Sequence, residues 1–137
     1  MVMARGKGRI LCVDDDSDTR EMMNAMLGLQ GYEVIQARSV AEGLSHGIAD
    51  NFDLILLDWV FPDGTGIDLC KMLRSTVPST PILFYSGISD GDDIASAMGA
   101  GAQGFLIKPV DSADLLESLS RFLGNPGISI EQSAEQT

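Results

Sequence analysis

The amino-acid sequence predicts an α/β domain built on a five-stranded parallel sheet. Five short apolar segments alternate with five segments of helical periodicity. The apolar segments are mostly continuous, which is typical of strands that are buried on both faces of a parallel sheet. Four of them end at or next to a polar residue of potential chemical use, namely Asp14, Asp58, Ser86 and Lys108. In open parallel sheets, ligands bind at that carboxyl edge.

The five predicted strands are short and rich in Ile, Leu, Val and Phe. In chain order they are RILCV, YEVIQA, FDLILL, PILFY and GFLI, at residues 9–13, 32–37, 52–57, 81–85 and 104–107. The second carries more polar residues than the others, so we expect it to be less buried. The third is the clearest buried strand, because it contains four consecutive aliphatic residues.

The first two helices have recognisable beginnings and ends. The first extends from Asp18 to a stop at Gly31, a residue suited to follow a helix. The second opens with Ser39 and Glu42 in a capping-box pattern and continues to about residue 49. Its predicted inner face consists of Val40, Leu44 and Ile48.

The last three helices follow the third, fourth and fifth strands. Residues 62–66 (PDGTG) form a loop by composition, and a helix follows from Ile67. The fourth helix, at residues 90–98, is weak, with Ile94, Ala95, Ala97 and Met98 to bury. Asp111 is the expected N-cap of a strongly apolar last helix that closes at Gly124.

Composition and charge exclude several classes of function. Twenty acidic and nine basic residues give a net charge of −11, which argues against direct binding to nucleic acid or to an anionic membrane surface. No apolar run is long enough to cross a bilayer or to act as a signal peptide. Cys12 and Cys70 lack metal-ligand spacing, and we interpret them as reduced core thiols of a cytoplasmic protein.

One domain accounts for most of the 137 residues. We expect it to span residues 9–124, preceded by a flexible N-terminus at residues 1–8. Residues 125–137 are polar apart from two isoleucines, so we expect a flexible tail or the start of a linker.

Three carboxylates converge if the first and third strands are neighbours in the sheet. Asp14 and Asp15 directly follow the first strand, and Asp58 follows the third. Like charges at such short range repel one another unless a cation compensates them. Carboxylate oxygens with room for water are typical ligands of Mg²⁺. The sequence therefore predicts a magnesium site at this edge.

The same edge has the residues that phosphoryl chemistry requires. An aspartate can attack phosphorus and form an acyl phosphate. A metal ion and the lysine at position 108 would neutralise the oxygens of the transferring group, and the hydroxyl of Ser86 would donate a hydrogen bond to one of them.

These motifs resemble those of the receiver domain of the two-component response-regulator family. The matching segments are ILCVDDD at 10–16, LLDWVFPDGTG at 56–66, FYSG at 84–87 and GAQGFLIKPV at 101–110. The resemblance covers residues 9 to about 123. It implies a flavodoxin-like, doubly wound parallel sheet of strand order 2-1-3-4-5 with five helices.

The resemblance also implies a phosphorylation site. Asp58 would accept a phosphoryl group from a histidine kinase or a histidine phosphotransfer protein. Asp14, Asp15 and Asp58 would hold Mg²⁺ together with the main-chain carbonyl of Val60, and Lys108 would be the phosphate partner. Such a domain catalyses only its own phosphorylation and dephosphorylation.

Further roles follow from the same resemblance. Ser86 would be the switch hydroxyl and Phe105 the switch aromatic. Lys108 and Pro109 match a peptide bond that is usually cis in the family. Val60 and Ile88 occupy the two positions that flank the approach of water to the acyl phosphate, so they would tune its lifetime. The output would be an unknown partner or a homodimer, through the face of the fourth helix, fifth strand and fifth helix.

Two other interpretations stay open. The first is a receiver-like interaction module that is never phosphorylated. The second is a small Mg²⁺-dependent aspartyl phosphatase, because Asp14-Asp15-Asp16 also forms a DxD motif. Residue 18 is Asp where that motif has Thr or Val, and the chain lacks an insertion to bind an external substrate. Phosphate incorporation from acetyl phosphate distinguishes the first, and turnover of a phosphate ester distinguishes the second.

Overall fold

A parallel sheet forms the centre of the protein in a computed structural model that describes residues 8–87 and 91–123. Within these residues the strands are β1 (Gly8–Val13), β2 (Tyr32–Ala37), β3 (Leu54–Leu57), β4 (Val60–Phe61), β5 (Gly64–Thr65), β6 (Ile82–Ser86) and β7 (Gly104–Ile107). Five of them form the sheet, in the order β2-β1-β3-β6-β7, and all neighbours are parallel. The predicted doubly wound α/β fold and the order of its five sheet strands are confirmed.

The helices cover both faces of the sheet. They are α1 (Ser17–Leu29), α2 (Val40–Ala49), α3 (Gly66–Thr76), α4 (Gly91–Gly99) and α5 (Ser112–Leu123). One core cluster joins the sheet to α1 and α5, and a second joins its other face to α2, α3 and α4. Both clusters are built from apolar side chains of the same strands, because successive strand residues point to opposite faces.

Two predicted helix starts are confirmed by the hydrogen bonds of their capping side chains. Ser39 Oγ accepts from the main-chain N–H of Glu42 at 3.1 Å, and Asp111 Oδ1 accepts from that of Asp114 at 2.8 Å. Asp16 caps α1 in the same way, so that helix begins at Ser17, one residue before the predicted Asp18. Glu42, the second member of the capping box, accepts from the N–H of Arg38.

The predicted inner face of α2 is partly wrong. Ile48 is 56% exposed, whereas Gly43 and Gly47 are buried. A methyl group on Gly47 would overlap Leu73 Cδ2 of α3. The two glycines lie one helical turn apart, so they let α2 approach its neighbour closely and turn the isoleucine outward.

The sequence pattern also overestimated burial in α4. Met98 is 45% exposed, although its neighbour Ala97 is fully buried. Adjacent helical residues are separated by about 100° around the axis, so only one of the two can face the sheet.

Other departures concern boundaries. The segment predicted as a loop at 62–66 includes the strand β5, which pairs with β4 in an antiparallel hairpin. The strand β1 begins at Gly8, one residue before the predicted start. Predictions at Ile88, Gly124 and the two terminal segments 1–7 and 125–137 lie outside the described residues. No described helix is both long and apolar enough to span a membrane.

Candidate functional site

Three carboxylates meet at the carboxyl edge of the sheet. One oxygen from each of Asp14, Asp15 and Asp58 lies within 4.8 Å of the other two. The reason is register: Val13, the last residue of β1, pairs with Leu57, the last residue of β3. The strands β1 and β3 therefore end side by side, and each is followed directly by an aspartate.

Asp14 is the most deeply placed of the three. It is 2% exposed. Its Oδ1 accepts from the main-chain N–H of Asp16 at 2.9 Å, and its Oδ2 accepts from Lys108 Nζ at 2.9 Å. Burial raises the pKa of Asp14, because removal from water disfavours the charged form, while these two hydrogen bonds act in the opposite direction.

Asp58 is more accessible and less tightly held. Its side chain is 17% exposed, and Oδ1 accepts from the N–H of Trp59 at 2.7 Å. Oδ2 lies 3.4 Å from Lys108 Nζ, 0.5 Å farther than the distance between Asp14 Oδ2 and the same nitrogen. The lysine is thus within ion-pair distance of both carboxylates but closer to the buried one.

Lys108 reaches the site from the end of β7. Its main-chain N–H donates to the carbonyl of Ser86 at 2.8 Å, which extends the ladder between β6 and β7, and its peptide bond to Pro109 is cis. Burial alone would lower the pKa of Lys108, but the hydrogen bonds and charges of Asp14 and Asp58 outweigh it and raise the pKa. The ammonium therefore stays charged at neutral pH.

The charge of the cluster fits a divalent cation. Three carboxylates and one ammonium sum to −3 + 1 = −2. The donors are all oxygens, two of the three carboxylates are not fully buried, and their spacing suits a single ion with water in the remaining positions. This donor set fits Mg²⁺ in chemistry and charge.

The other predicted site residues surround this cluster. Ser86 is 2% exposed at the end of β6. Phe105 stacks on Phe84 with ring centroids 5.9 Å apart. The Trp59 ring centroid lies 5.3 Å from that of Phe84 and 5.9 Å from that of Phe105. Val60 lies two residues after Asp58 and is 55% exposed, whereas Ile88 lies outside the described segments.

Sequence reasoning missed two side chains next to the cluster. Arg20 of α1 donates from Nη1 to the main-chain carbonyl of Asp14 at 2.8 Å. The ring of Tyr85 lies 5.1 Å from Lys108 Nζ, measured to the ring centroid. The position of Tyr85 directly before Ser86 could have indicated a place near the site, but an aromatic residue inside an apolar strand is ordinarily interpreted as part of the core.

Comparison with known proteins identifies the family. The model described as "Response regulator receiver domain" matches residues 10–120. Response regulator protein PilR of Pseudomonas aeruginosa is 36% identical over 121 residues, covering 88% of this chain and 27% of PilR. Cell cycle transcriptional regulator CtrA of Caulobacter vibrioides is 34% identical over 108 residues, covering 79% of this chain and 47% of CtrA. The chain thus spans less than half the length of both curated relatives.

The fold also matches solved structures of receiver domains over nearly their whole length. A CheY-like receiver domain protein from Methanospirillum hungatei has a TM-score of 0.82 and 31% identity, covering 93% of this chain and 97% of that one. The BeF3-activated DrrB receiver domain has a TM-score of 0.79 and 27% identity, covering 86% and 98%. The chain therefore belongs to the response regulator receiver domains, which serve signalling in two-component systems and are not conventional enzymes.

Proposed function

We propose that this domain is a phosphorylation-activated switch that accepts a phosphoryl group on Asp58 with Mg²⁺. The donor is a histidine kinase or a histidine phosphotransfer protein. The observation that carries the proposal is the position of Asp58: its carboxylate is partly exposed, shares a cluster with two other aspartates and lies 3.4 Å from Lys108 Nζ. Among the residues that the structure describes, it is the one member of the cluster that combines access with a cation beside it.

The chemistry follows from these groups. A carboxylate oxygen of Asp58 attacks phosphorus, the bond from phosphorus to the donor nitrogen breaks, and the electron pair leaves with the donor imidazole. Lys108 then pairs with a phosphoryl oxygen, and the Ser86 hydroxyl donates to another. Asp14, Asp15, Asp58 and the main-chain carbonyl of Val60 would hold Mg²⁺, which supplies further charge neutralisation when bound.

The decisive test is phosphorylation of Asp58→Asn. Wild type incubated with acetyl phosphate and Mg²⁺ should gain the mass of one phosphoryl group, and Asp58→Asn should gain none. Asp68→Asn, at an exposed position of α3, is the matched control and should be modified like wild type. Equal modification of Asp58→Asn would falsify the assignment.

Two other outcomes would indicate a different function. If wild type is never modified, the domain is a receiver-like interaction module. If wild type steadily hydrolyses an external phosphate ester and Asp14→Asn does not, it is an aspartyl phosphatase with Asp14 as the nucleophile.

Metal binding can be tested separately with Asp15→Asn. Asp15 is exposed and contributes one of the three clustered oxygens. Its removal takes away both a ligand and a repulsive charge, so Mg²⁺ affinity should fall while the metal-free melting temperature stays the same or rises. Fluorescence of Trp59, the only tryptophan, can follow the titration. A metal-free melting temperature that is several degrees lower would instead make Asp15 chiefly structural.

The signal would leave the site through the aromatic residues around Phe105. We propose that phosphorylation draws Ser86 inward and repacks Phe105, which is half-buried against Phe84 and Trp59. The face of α4, β7 and α5 would then bind an output partner or a second copy of the domain.

The two cysteines bear on the compartment. Cys12 and Cys70 are buried and form no disulfide, which fits the reducing conditions of the cytoplasm.

The lifetime of the phosphorylated state should depend on Val60 and Ile88. Both are apolar and β-branched, so neither can orient an attacking water by hydrogen bonding. The double variant Val60→Asn/Ile88→Glu should lose its phosphoryl group faster by about tenfold, or roughly 1.4 kcal/mol in the barrier. Decay of phosphorylated protein in Mg²⁺ buffer measures it. Decay no faster than wild type would contradict the role of these side chains.

A further inference from the structure

An aromatic ring contacts Lys108 from the face of the sheet opposite Phe84. Tyr85 and Phe84 are adjacent on β6, so their side chains point to opposite faces. Phe84 belongs to the core shared with α2, α3 and α4, and Tyr85 belongs to the core shared with α1 and α5. The Tyr85 ring centroid lies 5.1 Å from Lys108 Nζ, a distance typical of a cation–π contact.

The ring is a rigid element of the site. Tyr85 is 5% exposed, and its strand pairs with β7 through Tyr85 and Leu106. The main chain of Lys108 is tied to the next residue of the same strand, because its N–H donates to the carbonyl of Ser86. The ring and the root of the lysine are therefore fixed relative to each other by two neighbouring strands.

Lysine side chains are flexible, so the position of the ammonium depends on its contacts. The four-carbon stem has several rotamers, and the compact ammonium can rotate among acceptors. Lys108 is 25% exposed at its side chain, and its Nζ is closer to Asp14 Oδ2, at 2.9 Å, than to Asp58 Oδ2, at 3.4 Å. Rotation of the stem toward Asp14 would lengthen the distance to Asp58, so a contact that restrains the ammonium affects its reach to the acceptor.

We propose that Tyr85 is a positioning residue for phosphoryl acceptance, whose ring holds the Lys108 ammonium within reach of Asp58 by a cation–π contact. The proposal rests on the proposed role of Asp58 as acceptor. It assigns the effect to the ring face and not to the phenol hydroxyl. A cation–π contact is stronger where the ammonium is partly shielded from water, because fewer water molecules then compete with the ring for the charge.

Three variants separate the ring from its hydroxyl and from core packing. Tyr85→Phe retains the ring, and Tyr85→Leu removes it but keeps an apolar side chain. Tyr32→Leu removes a ring that is 6% exposed in the same core cluster, at the opposite end of the sheet. Each protein is loaded with acetyl phosphate and Mg²⁺, and beryllofluoride affinity is measured.

We expect Tyr85→Leu to be phosphorylated more slowly and to bind beryllofluoride more weakly, each by about three- to fivefold. Tyr85→Phe and Tyr32→Leu should match wild type under conditions in which all variants are folded. Equal rates for Tyr85→Leu and wild type would overturn the proposal. Equal losses in Tyr85→Phe would assign the effect to the hydroxyl, and equal losses in Tyr32→Leu would assign it to general packing; both also overturn it.

A second readout does not depend on phosphorylation. The chain has three lysines, so their ε-methylene signals in proton–carbon NMR spectra can be assigned by substitution. In unmodified wild type, the ring current of Tyr85 should shift the Lys108 signal upfield of that of Lys71, which is exposed on α3. An unshifted Lys108 signal contradicts the contact. A shifted signal in a wild type that never becomes phosphorylated would instead contradict the proposed function.

Discussion

Replacement of Arg74 by methionine is expected to lower the free energy of unfolding by about 3 kcal/mol. The guanidinium of Arg74, at the end of α3, donates hydrogen bonds to two loops, one from α3 to β6 and one from α4 to β7. Nη1 donates to the main-chain carbonyls of Val77, Pro78 and Thr80 at 2.9, 3.1 and 2.7 Å. Nε and Nη2 both donate to the carbonyl of Gly101, at 3.1 and 2.7 Å.

The magnitude follows from what is left behind. Methionine preserves the apolar stem. It leaves the main-chain carbonyls of two loops, the one from α3 to β6 and the one from α4 to β7, without their charged donor. Hydrogen bonds to charged groups contribute about 1.5–3 kcal/mol each, and the members of one network are not additive. Nη2 also donates to Gln103 Oε1, which accepts from the N–H of Ile82 as well, so the loss extends to the start of β6.

Urea unfolding, compared with that of Lys71→Met, measures this effect. Lys71 is exposed on the same helix, so the control makes the same change in charge, ends in the same side chain and should alter stability by less than about 0.5 kcal/mol. Arg74→Lys should recover only part of the loss, because one ammonium cannot reach both loops. If Arg74→Met and Lys71→Met unfold at the same urea concentration, the hydrogen bonds of Arg74 contribute little.

Substitution of Gly66 by alanine is expected to damage both stability and the site. Gly66 begins α3, and its N–H donates to the carbonyl of Trp59 at 2.7 Å. An added methyl group would overlap the main-chain oxygen of Asp58 and lie 2.8 Å from Phe84 Cε1. Neither can retreat easily, because one is backbone and the other is a fully buried ring. The backbone of Gly66 does not have a positive φ, so the obstacle is space and not conformation.

We expect Gly66→Ala to lose about 2–3 kcal/mol of stability, as in other overpacked sites. Phosphorylation should also slow by about tenfold, because the methyl group displaces Asp58 itself, and small misplacements are costly in catalysis. The matched control is Gly28→Ala on α1, where nothing lies within 4 Å of the added methyl group. It should stabilise the protein by about 0.5 kcal/mol and leave phosphorylation unchanged. A stable, normally phosphorylated Gly66→Ala would show that the loop after Asp58 can yield.

Local chemistry explains why much of the fold was predictable. A continuous run such as Leu54–Leu57 has few alternatives to a buried strand. Asp16, Ser39 and Asp111 cap helices because a short polar side chain there satisfies the nearest free N–H groups. These preferences act over three or four residues, so the sequence displays them directly.

Contacts between distant segments were not predictable in the same way. Asp63 illustrates this: its carboxylate, in the turn between β4 and β5, accepts from the N–H groups of Val40 and Ala41 at the start of α2. Ile48 was predicted to be buried because a single helix does not reveal that Gly43 and Gly47 bring α2 against α3. Tyr85 was indistinguishable from an ordinary core aromatic until Lys108 was located beside it.

By itself, the sequence determined the alternation of strands and helices, the caps, and the chemical types of the residues at the carboxyl edge. Each depends on neighbours along the chain, whose preferences are local. Only the tertiary structure decided that Lys108 lies closer to Asp14 than to Asp58, that Arg74 joins two loops, and that a ring faces the ammonium. Those distances arise from residues up to 94 positions apart, and strand register and helix packing set them jointly.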